Sequence, residues 1–189
     1  MRALVGASML LVGLVATKTG FPASVHARQP QGVDVKIGSL KATAPAEWKK
    51  VKPANLLRSY QFQLAGDQPG QEAELVVFPE SHPDPEKTFP KWKAQFIPPV
   101  DKTIDDLTQS TKWDLPGATA HVLIVSGGTW KYKAAPQDPR SKEVLLDNYR
   151  VIWVIVVDKN EATHLRLSGP LKTVEKHQAA FETFIKSLK

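Results

Sequence analysis

The chain has 189 residues, with 25 lysine and arginine residues against 19 aspartate and glutamate residues, 15 prolines and no cysteine. This length fits a single domain, and 42% hydrophobic with 23% charged residues is ordinary for a folded protein. The missing cysteines exclude disulfides, thiolate metal sites, iron–sulfur clusters and a thiol nucleophile. They also exclude a lipid anchor attached to an N-terminal cysteine.

The N-terminus has the pattern of a cleavable secretory signal. One arginine supplies the positive charge, and residues 3–16 are apolar but fewer than the ~20 that a membrane span needs. Small or tolerated residues at the end of this segment, at the positions that signal peptidase recognises, predict cleavage between Ala27 and Arg28. Cleavage after Ala23 is the less favoured alternative. An uncleaved N-terminal anchor is the alternative. We therefore expect a secreted or periplasmic protein that meets the membrane only during export.

The predicted organisation is a signal peptide at 1–27, a linker with a short N-terminal strand at 28–39, and a single globular domain at 40–189. Removing the signal takes away two basic groups and no acidic group, so the exported chain keeps a mild positive charge. That charge favours an envelope protein or an anionic surface as the partner. No basic run is dense enough to predict nucleic-acid binding.

Alternation of apolar and polar residues predicts an antiparallel sheet. The expected strands lie at 33–37, 40–43, 56–64, 72–78, 118–126, 149–157 and 162–168. The strand at 149–157 is apolar on both faces after its first residues, so we expect it to be central, with Trp153 in the core. Gly127-Gly128 is expected to turn the chain, and residues 100–111 are expected to form a loop.

Two helices are predicted beside this sheet. The first begins at Pro90, which suits the first turn of a helix, and carries Trp92 and Phe96 on its apolar stripe. The second follows Gly169-Pro170 and runs to Leu188 with an apolar stripe at helical spacing. The expected fold class is α+β, an antiparallel twisted sheet flanked by helices, with the C-terminal amphipathic helix packed on the sheet.

Two segments together resemble the Mog1/PsbP-like α/β/α sandwich. One is residues 40–48, a short strand that ends in Pro-x-x-Trp, and the other is the closing hairpin with its helix. The interior is similar to an uncharacterised family of exported bacterial proteins in three short motifs: Glu72-Ala73-Glu74-Leu75, Lys91-Trp92-x-x-Gln95-Phe96 and Gly128-Thr129-Trp130. The resemblance implies a non-catalytic protein, because known members of this fold mostly lack catalytic activity. The chain departs from them in its missing anchor cysteine and its proline-rich segment at 79–90.

Residue patterns for common chemistry are missing. The chain has no Walker loop and no G-x-S-x-G motif, and its histidines are too dispersed to predict a metal site or a cofactor. Three clusters of possible ligands have simpler interpretations. His82 with Asp84 and Glu86 is expected to lie in a solvated loop, and Asp101, Asp105 and Asp106 are expected to be turn or capping residues. Glu72 and Glu74 are expected to lie on the solvent-exposed face of an edge strand. A hydrolase that uses His121 or His164 is the enzyme alternative, and it requires one of them beside a carboxylate in a cleft.

His164 and Arg166 share one face of the last predicted strand, and the length of the preceding turn determines which residues of the neighbouring strand lie opposite them. A two-residue turn at Lys159-Asn160 sets Trp153 opposite Arg166 and builds a polar patch with an aromatic wall. A three-residue turn sets Trp153 opposite Leu167 and leaves His164 and Arg166 facing solvent or the second helix layer. We favour the three-residue turn because it buries the cleaner apolar face.

Trp130, Lys131 and Tyr132 are the candidate binding residues. They follow Gly127-Gly128 and precede a polar loop with further basic residues, so aromatic faces lie beside positive charges. Packing of Trp130 in the core is the competing interpretation, and it is the favoured one. The predicted function is an exported, non-catalytic binding or accessory module of the cell envelope. Binding of an anionic glycan or lipid is the alternative.

Overall fold

The computed structural model describes residues 31–79, 84–134, 138–159 and 161–189. These residues form ten strands, two α-helices and a 3-10 turn at Asp105–Leu107. The strands are β1 (Val33–Ile37), β2 (Leu40–Ala44), β3 (Lys49–Val51), β4 (Tyr60–Leu64), β5 (Ala73–Phe78), β6 (Phe96–Ile97), β7 (Thr108–Leu115), β8 (Ala118–Lys133), β9 (Glu143–Val157) and β10 (Ala162–Pro170). The helices are α1 (Pro85–Lys93) and α2 (Leu171–Lys186). The predicted signal peptide with its Ala27–Arg28 cleavage site lies outside the described residues, as do His82 and Asn160.

Eight strands form one antiparallel sheet, and six of them lie in the order β3-β4-β5-β10-β9-β8. Strands β7 and β6 follow one another along the outer edge of β8, while β1 and β2 form a separate hairpin. Strand β9 lies inside the sheet and Trp153 is 2% exposed, which confirms the predicted central strand. The predicted α+β class with an antiparallel sheet is also confirmed.

One face of the sheet packs against α2 and the β1–β2 hairpin. The helix buries Val174, Phe181 and Phe184 there, as its sequence pattern predicts. Trp48 completes this core, with its ring centroid 5.4 Å from that of Phe184. Neither helix formed by the described residues is long and apolar enough to cross a membrane.

The other face of the sheet packs against α1. Asp84 caps this helix by accepting a hydrogen bond from the Glu86 amide at 3.0 Å, and Pro85 occupies the first turn. The prediction that the helix begins at Pro90 is therefore wrong, because the cap lies further upstream. Trp92 of α1 stacks on Trp153, with 5.4 Å between the ring centroids.

The predicted turn at Gly127-Gly128 is wrong, because β8 continues through it to Lys133. The β8–β9 register shifts on both sides of Gly128, where Gly127 has a φ of 83° and Asn148 on the opposite strand has a φ of 52°. Such irregularities bend a strand pair. Beyond the bend, residues 129–133 of β8 and 143–147 of β9 form what we call the arm, whose Trp130 packs on Phe96 and Trp153.

Two segments with little apolar character are strands and not loops. The expected loop at 100–111 holds the 3-10 turn and the start of β7, and the lysine-rich segment at 49–51 is the edge strand β3. The polar residues of β7 are mostly exposed and only Leu115 is buried, so the alternation that marks a half-buried strand is missing. Conversely, the expected strand at 56–64 begins only at Tyr60, and Leu56 is fully exposed.

Candidate functional site

A groove of about 650 Å³ separates α1 from strands β7 and β8. Its volume falls within the range of about 300–1,000 Å³ that is typical of small-ligand sites. On the α1 side it is lined by Glu86 and Phe89, among others. On the sheet side, Ser110 and Lys112 of β7 form a wall, and His121 and Leu123 of β8 form the floor.

The strand register places these side chains together. Lys112 pairs with His121, and Ser110 pairs with Leu123. Partners directly opposite in an antiparallel pair project from the same face of the sheet. Leu123 in turn pairs with Trp153, which α1 covers, so the groove lies on the α1 face at the β7 edge. Because the residue pattern predicts a loop for the first half of β7, it does not predict this groove.

His121 is the titratable group on the groove floor. Partial burial lowers the pKa of its imidazole and the Lys112 ammonium lowers it further, while the Glu86 carboxylate acts in the opposite direction. The ring is therefore neutral at pH 7 and offers one donor and one acceptor. Among the described residues, no group of three or more possible ligands is arranged to hold a metal ion.

The groove combines an apolar surface with several hydrogen-bonding groups. Lys93 is held by Asp105 at 2.8 Å, and Asp84 caps α1 and pairs with Lys87 at 3.4 Å. The other charged or titratable groups that line the groove are Glu86, Lys112 and His121. Phe89 supplies an apolar ring beside them. This mixture suits an uncharged or zwitterionic ligand that has both an apolar side and hydrogen-bonding groups.

The favoured register of the last hairpin is wrong. Trp153 pairs with Arg166 and Ile155 pairs with His164, so His164 and Arg166 lie on the α1 face and not toward solvent. The turn explains this register. The Asp158 amide donates to the Glu161 carbonyl at 3.1 Å, and the Glu161 amide donates to the Asp158 side chain at 2.9 Å. The polar patch with an aromatic wall, which the other register predicted, is therefore present.

Glu74 forms the centre of this patch. Its carboxylate accepts hydrogen bonds from Arg58 at 3.0 Å, Arg166 at 3.2 Å and Gln61 at 2.7 Å. Strand β5 lies between β4 and β10, so the prediction that Glu74 belongs to the wet face of an edge strand is wrong. Burial lowers the pKa of the Arg166 guanidinium, and the nearby Glu74 opposes that shift.

Aromatic rings surround the other side of Arg166. Its guanidinium carbon lies 5.2 Å from the Trp130 ring centroid, 5.6 Å from that of Tyr132 and 5.7 Å from that of Phe78. Cation–π contacts of this kind are stabilising when desolvated. Because Trp130 and Tyr132 belong to the arm, these contacts of Arg166 stabilise the packing of the arm against the sheet.

His164 is part of the same aromatic packing. Its ring stacks on Phe78 with 4.1 Å between centroids and lies 5.4 Å from Trp92. Burial, together with the charge of Arg166, lowers the pKa of His164 to about 3. Of the two histidines in the hydrolase alternative, His121 is the one that lines the groove.

The structure separates the three predicted binding residues. Trp130 is only 2% exposed, and its indole donates to the Gln95 side chain at 3.1 Å. Trp130 therefore packs in the core, which is the interpretation that the sequence favoured, and it does not present an exposed indole. Tyr132 lies with it on the inner face of the arm, whereas Lys131 projects from the outer face. Binding of an anionic partner by Lys131 stays a prediction.

No protein-family model matches the chain, and no curated protein matches it. Among solved structures, the chain is similar to LpqN of Mycobacterium tuberculosis, described as involved in cell envelope biogenesis, with 14% identity and a TM-score of 0.46 over 79% of this chain and 82% of LpqN. It is also similar to PA94, a protein of unknown function from Pseudomonas aeruginosa, with 12% identity and a TM-score of 0.43 over 84% of this chain and 96% of that one. At these identities the likeness concerns the fold alone.

Proposed function

We propose that the protein is an exported, non-catalytic binding module of the cell envelope, and that the groove between α1 and β7–β8 holds its ligand. The observation that carries this proposal is the convergence of Glu86, Lys112 and His121 around an apolar surface in one concavity. A concave, partly apolar site with a few convergent polar groups is the usual form of a ligand site.

The non-catalytic role is supported by the surroundings of the two histidines. His164 is neutral and stacked against Phe78, which leaves it suited to packing and not to proton transfer. His121 lies beside a lysine that disfavours its protonated form. In this proposal the His121 imidazole is a hydrogen-bonding group for the ligand.

Export is supported by the signal pattern at residues 1–27. The first described strand, β1, begins at Val33, so cleavage between Ala27 and Arg28 removes no part of any described strand or helix.

Membership of the Mog1/PsbP-like sandwich is the finer fold assignment that we propose. Its support is the Pro-x-x-Trp segment, in which the Trp48 amide donates to the Pro45 carbonyl at 3.1 Å. The Trp48 ring then packs between the sheet and α2.

The groove can be tested by filling it. Ser110→Trp places an indole in the groove, and Gln109→Trp places one on the opposite face of the same exposed strand. Each protein is mixed with fractions of an envelope extract, and its melting temperature and its mass under native conditions are recorded. A ligand at about 100 times its Kd stabilises by ~2.7 kcal/mol, which raises the melting temperature of a domain of this size by roughly 5–10 °C.

We expect one fraction to stabilise the unsubstituted protein and the Gln109→Trp control, and to add the mass of a bound ligand to both. The Ser110→Trp variant should show neither effect. Equal stabilisation of both variants, or no stabilisation by any fraction, would contradict the groove as the ligand site.

A second function, binding of an anionic glycan or lipid surface, is favoured by the outer face of the arm. Ile97 is 45% exposed and Leu145 is 57% exposed, and both lie beside Lys131. Ile97 pairs with Thr129 and Leu145 pairs with Lys131, so the apolar groups flank the lysine on one face. Exposed apolar side chains next to a lysine stem suit contact with a lipid headgroup layer.

Sedimentation with vesicles tests this second function. We expect binding to vesicles that contain phosphatidylglycerol and not to phosphatidylcholine vesicles, with loss of binding as salt shortens the Debye length below ~8 Å. The Lys131→Glu, Lys133→Glu double variant should remain in the supernatant. The matched charge change on the distant edge strand, Lys49→Glu with Lys50→Glu, should sediment normally. Identical behaviour of the two double variants would rule out the arm.

A further inference from the structure

The outer edge of β7 is the feature of the groove that points to a class of ligand. Strand β7 pairs with β8 over eight consecutive residues, from Thr108 opposite Val125 to Leu115 opposite Ala118. Within the described ranges, no strand pairs with its other edge. In an antiparallel pair, alternate residues turn their N–H and C=O groups away from the partner strand. The outer edge of β7 therefore presents a row of main-chain donors and acceptors.

The opposite edge of the sheet is protected against such pairing more strongly than β7 is. Strand β3 has three residues, its Lys49 and Lys50 are exposed, and Pro53 follows shortly after it. Short length, lysines and proline are the usual means of blocking an edge. In contrast, β7 has eight residues, with no proline and no register shift, and its charged residues Lys112 and Asp114 lie in its second half, whereas residues 108–111 are uncharged. The first half of β7 is therefore the part of the sheet edges that is best able to pair.

We propose that β7 binds an extended polypeptide segment as an additional strand, and that alternate side chains of this segment enter the groove beneath α1. This inference rests on the proposed function, because it assigns a ligand class to the same groove. A polypeptide is favoured over a glycan or a lipid because an extended chain presents a donor and an acceptor every second residue, at the spacing of the free groups on β7.

The groove specifies which side chains the segment carries on its inward side. Because Glu86 and Lys112 contribute opposite charges, a run of one charge would meet repulsion from one of them. Phe89 and Leu123 favour an apolar residue, and the neutral His121 favours a hydroxyl or an amide. The segment therefore has uncharged inward residues, with an apolar residue above Phe89 and a polar one above His121.

A displayed library of random short peptides, panned against the immobilised protein, provides the probe. We expect enrichment of sequences with alternating apolar and polar residues and without proline. Proline is then placed at Gln109 and, separately, at Ser110. Because alternate residues direct their N–H outward, one of these two variants keeps its β8 ladder and loses only a free donor. That variant should keep its melting temperature and bind the enriched peptide at least about ten-fold more weakly, ~1.4 kcal/mol.

Lys50→Pro on the opposite edge is the control, and it should bind the peptide normally. Amide hydrogen exchange on the unsubstituted protein gives a readout that does not depend on the folding of a variant. Saturating peptide should slow exchange at alternate amides of β7 by at least about ten-fold. Unchanged exchange along β7, or equal peptide binding by both folded proline variants, would overturn the assignment.

The two proposals fail in different ways. If protease treatment of the active envelope fraction leaves its stabilising effect intact, and this effect is still lost in Ser110→Trp, the groove remains a ligand site but its ligand is not a polypeptide. If Ser110→Trp is stabilised like the control, the groove itself is not the site.

Discussion

Glu74 is the one carboxylate that the Arg58 and Arg166 guanidinium groups share. The Arg58 side chain is 5% exposed and that of Arg166 is 13% exposed, whereas that of Glu74 is 33% exposed. Removing the acid leaves two buried positive charges without a counter-charge. We expect Glu74→Gln to lower the free energy of unfolding by about 3 kcal/mol, the lower end of the range for breaking a buried pair, because Glu74 is partly hydrated.

Urea denaturation at pH 7 measures this loss, and Glu72→Gln is the matched control. Glu72 accepts a hydrogen bond from the Gly70 amide in the turn before β5 and has no ion pair among the described residues. Its substitution should cost well under half as much. Equal losses for the two variants would mean that the Arg58–Glu74–Arg166 network contributes no net stability.

His164 makes stability depend on pH in a predictable direction. Its pKa is about 3 in the folded protein, against an ordinary value of 6.5. Below pH 6.5 the unfolded chain therefore binds a proton at His164 that the folded protein does not bind. The contribution of the neutral His164 ring to the free energy of unfolding is therefore complete above pH 6.5. It is lost as the pH falls toward 3, at up to about 1.4 kcal/mol per pH unit.

Denaturant titrations at a series of pH values between 7 and 4 test this dependence. Carboxylates also lose stability in this range, so the comparison is between the unsubstituted protein and His164→Phe. The phenyl ring keeps the stack with Phe78 and Trp92 but has no titrating group. We expect the variant to lose less stability on acidification. Parallel pH profiles would show that folding does not lower the pKa of His164.

At the scale of elements, the bend between sheet and arm depends on two residues with positive φ. Gly127 has a φ of 83°, and a Cβ added there would have no atom within 4 Å, so a substitution meets backbone strain and no clash. We expect Gly127→Val to lower stability by roughly 1–2 kcal/mol, the usual cost of a left-handed conformation for a residue with a side chain. Thermal unfolding measures the loss.

Asn148 provides the control for this prediction. It already adopts a φ of 52° with a side chain, so Asn148→Gly relieves strain and should leave the melting temperature within about a degree or raise it. If Gly127→Val unfolds at the temperature of the unsubstituted protein, the bend is not fixed by the conformation of Gly127.

The strands that the sequence predicted and those that it missed differ in burial. Residues 151–156 of β9, five residues of β10 and one stripe of α2 are buried, and their apolar patterns predicted the strands at 149–157 and 162–168 and the C-terminal helix. β7 exposes most of its side chains at the sheet edge, so composition could not distinguish it from a loop. The groove depends on β7, and for this reason the sequence singled out Asp84, Glu86 and His121 but did not bring them together in one site.

The arm was missed for a different reason. Gly127-Gly128 fits a hairpin turn by its composition, but in a strand pair that continues on both sides the same flexibility forms a bulge. Residue pattern alone does not separate these two outcomes. The contact between Arg166 and Trp130 depends on this bend and on the β9–β10 register, both of which require the tertiary structure.

At the scale of the whole molecule, the two faces of the sheet are covered unequally. Helix α2, with sixteen residues, and the β1–β2 hairpin close one face over a continuous core. On the other face α1, with nine residues, and the arm cover a smaller core of aromatic residues. One side of α1, from Glu86 to Lys93, lines the groove, and β7 lines its opposite side. The position of the proposed ligand site is thus a consequence of the separation between α1 and the β7 edge of the sheet.

Processing of the exported chain is the prediction that concerns the whole molecule. The sequence predicts cleavage between Ala27 and Arg28, and the first described strand begins at Val33, so the processed protein keeps every described strand and helix. N-terminal sequencing of the exported protein should therefore begin at Arg28. Because signal peptidase requires a small residue before the cut, Ala27→Trp should leave an intact precursor, whereas Ala23→Trp should be processed normally. Recovery of Met1 from the exported protein, or loss of processing in Ala23→Trp alone, would contradict this cleavage site.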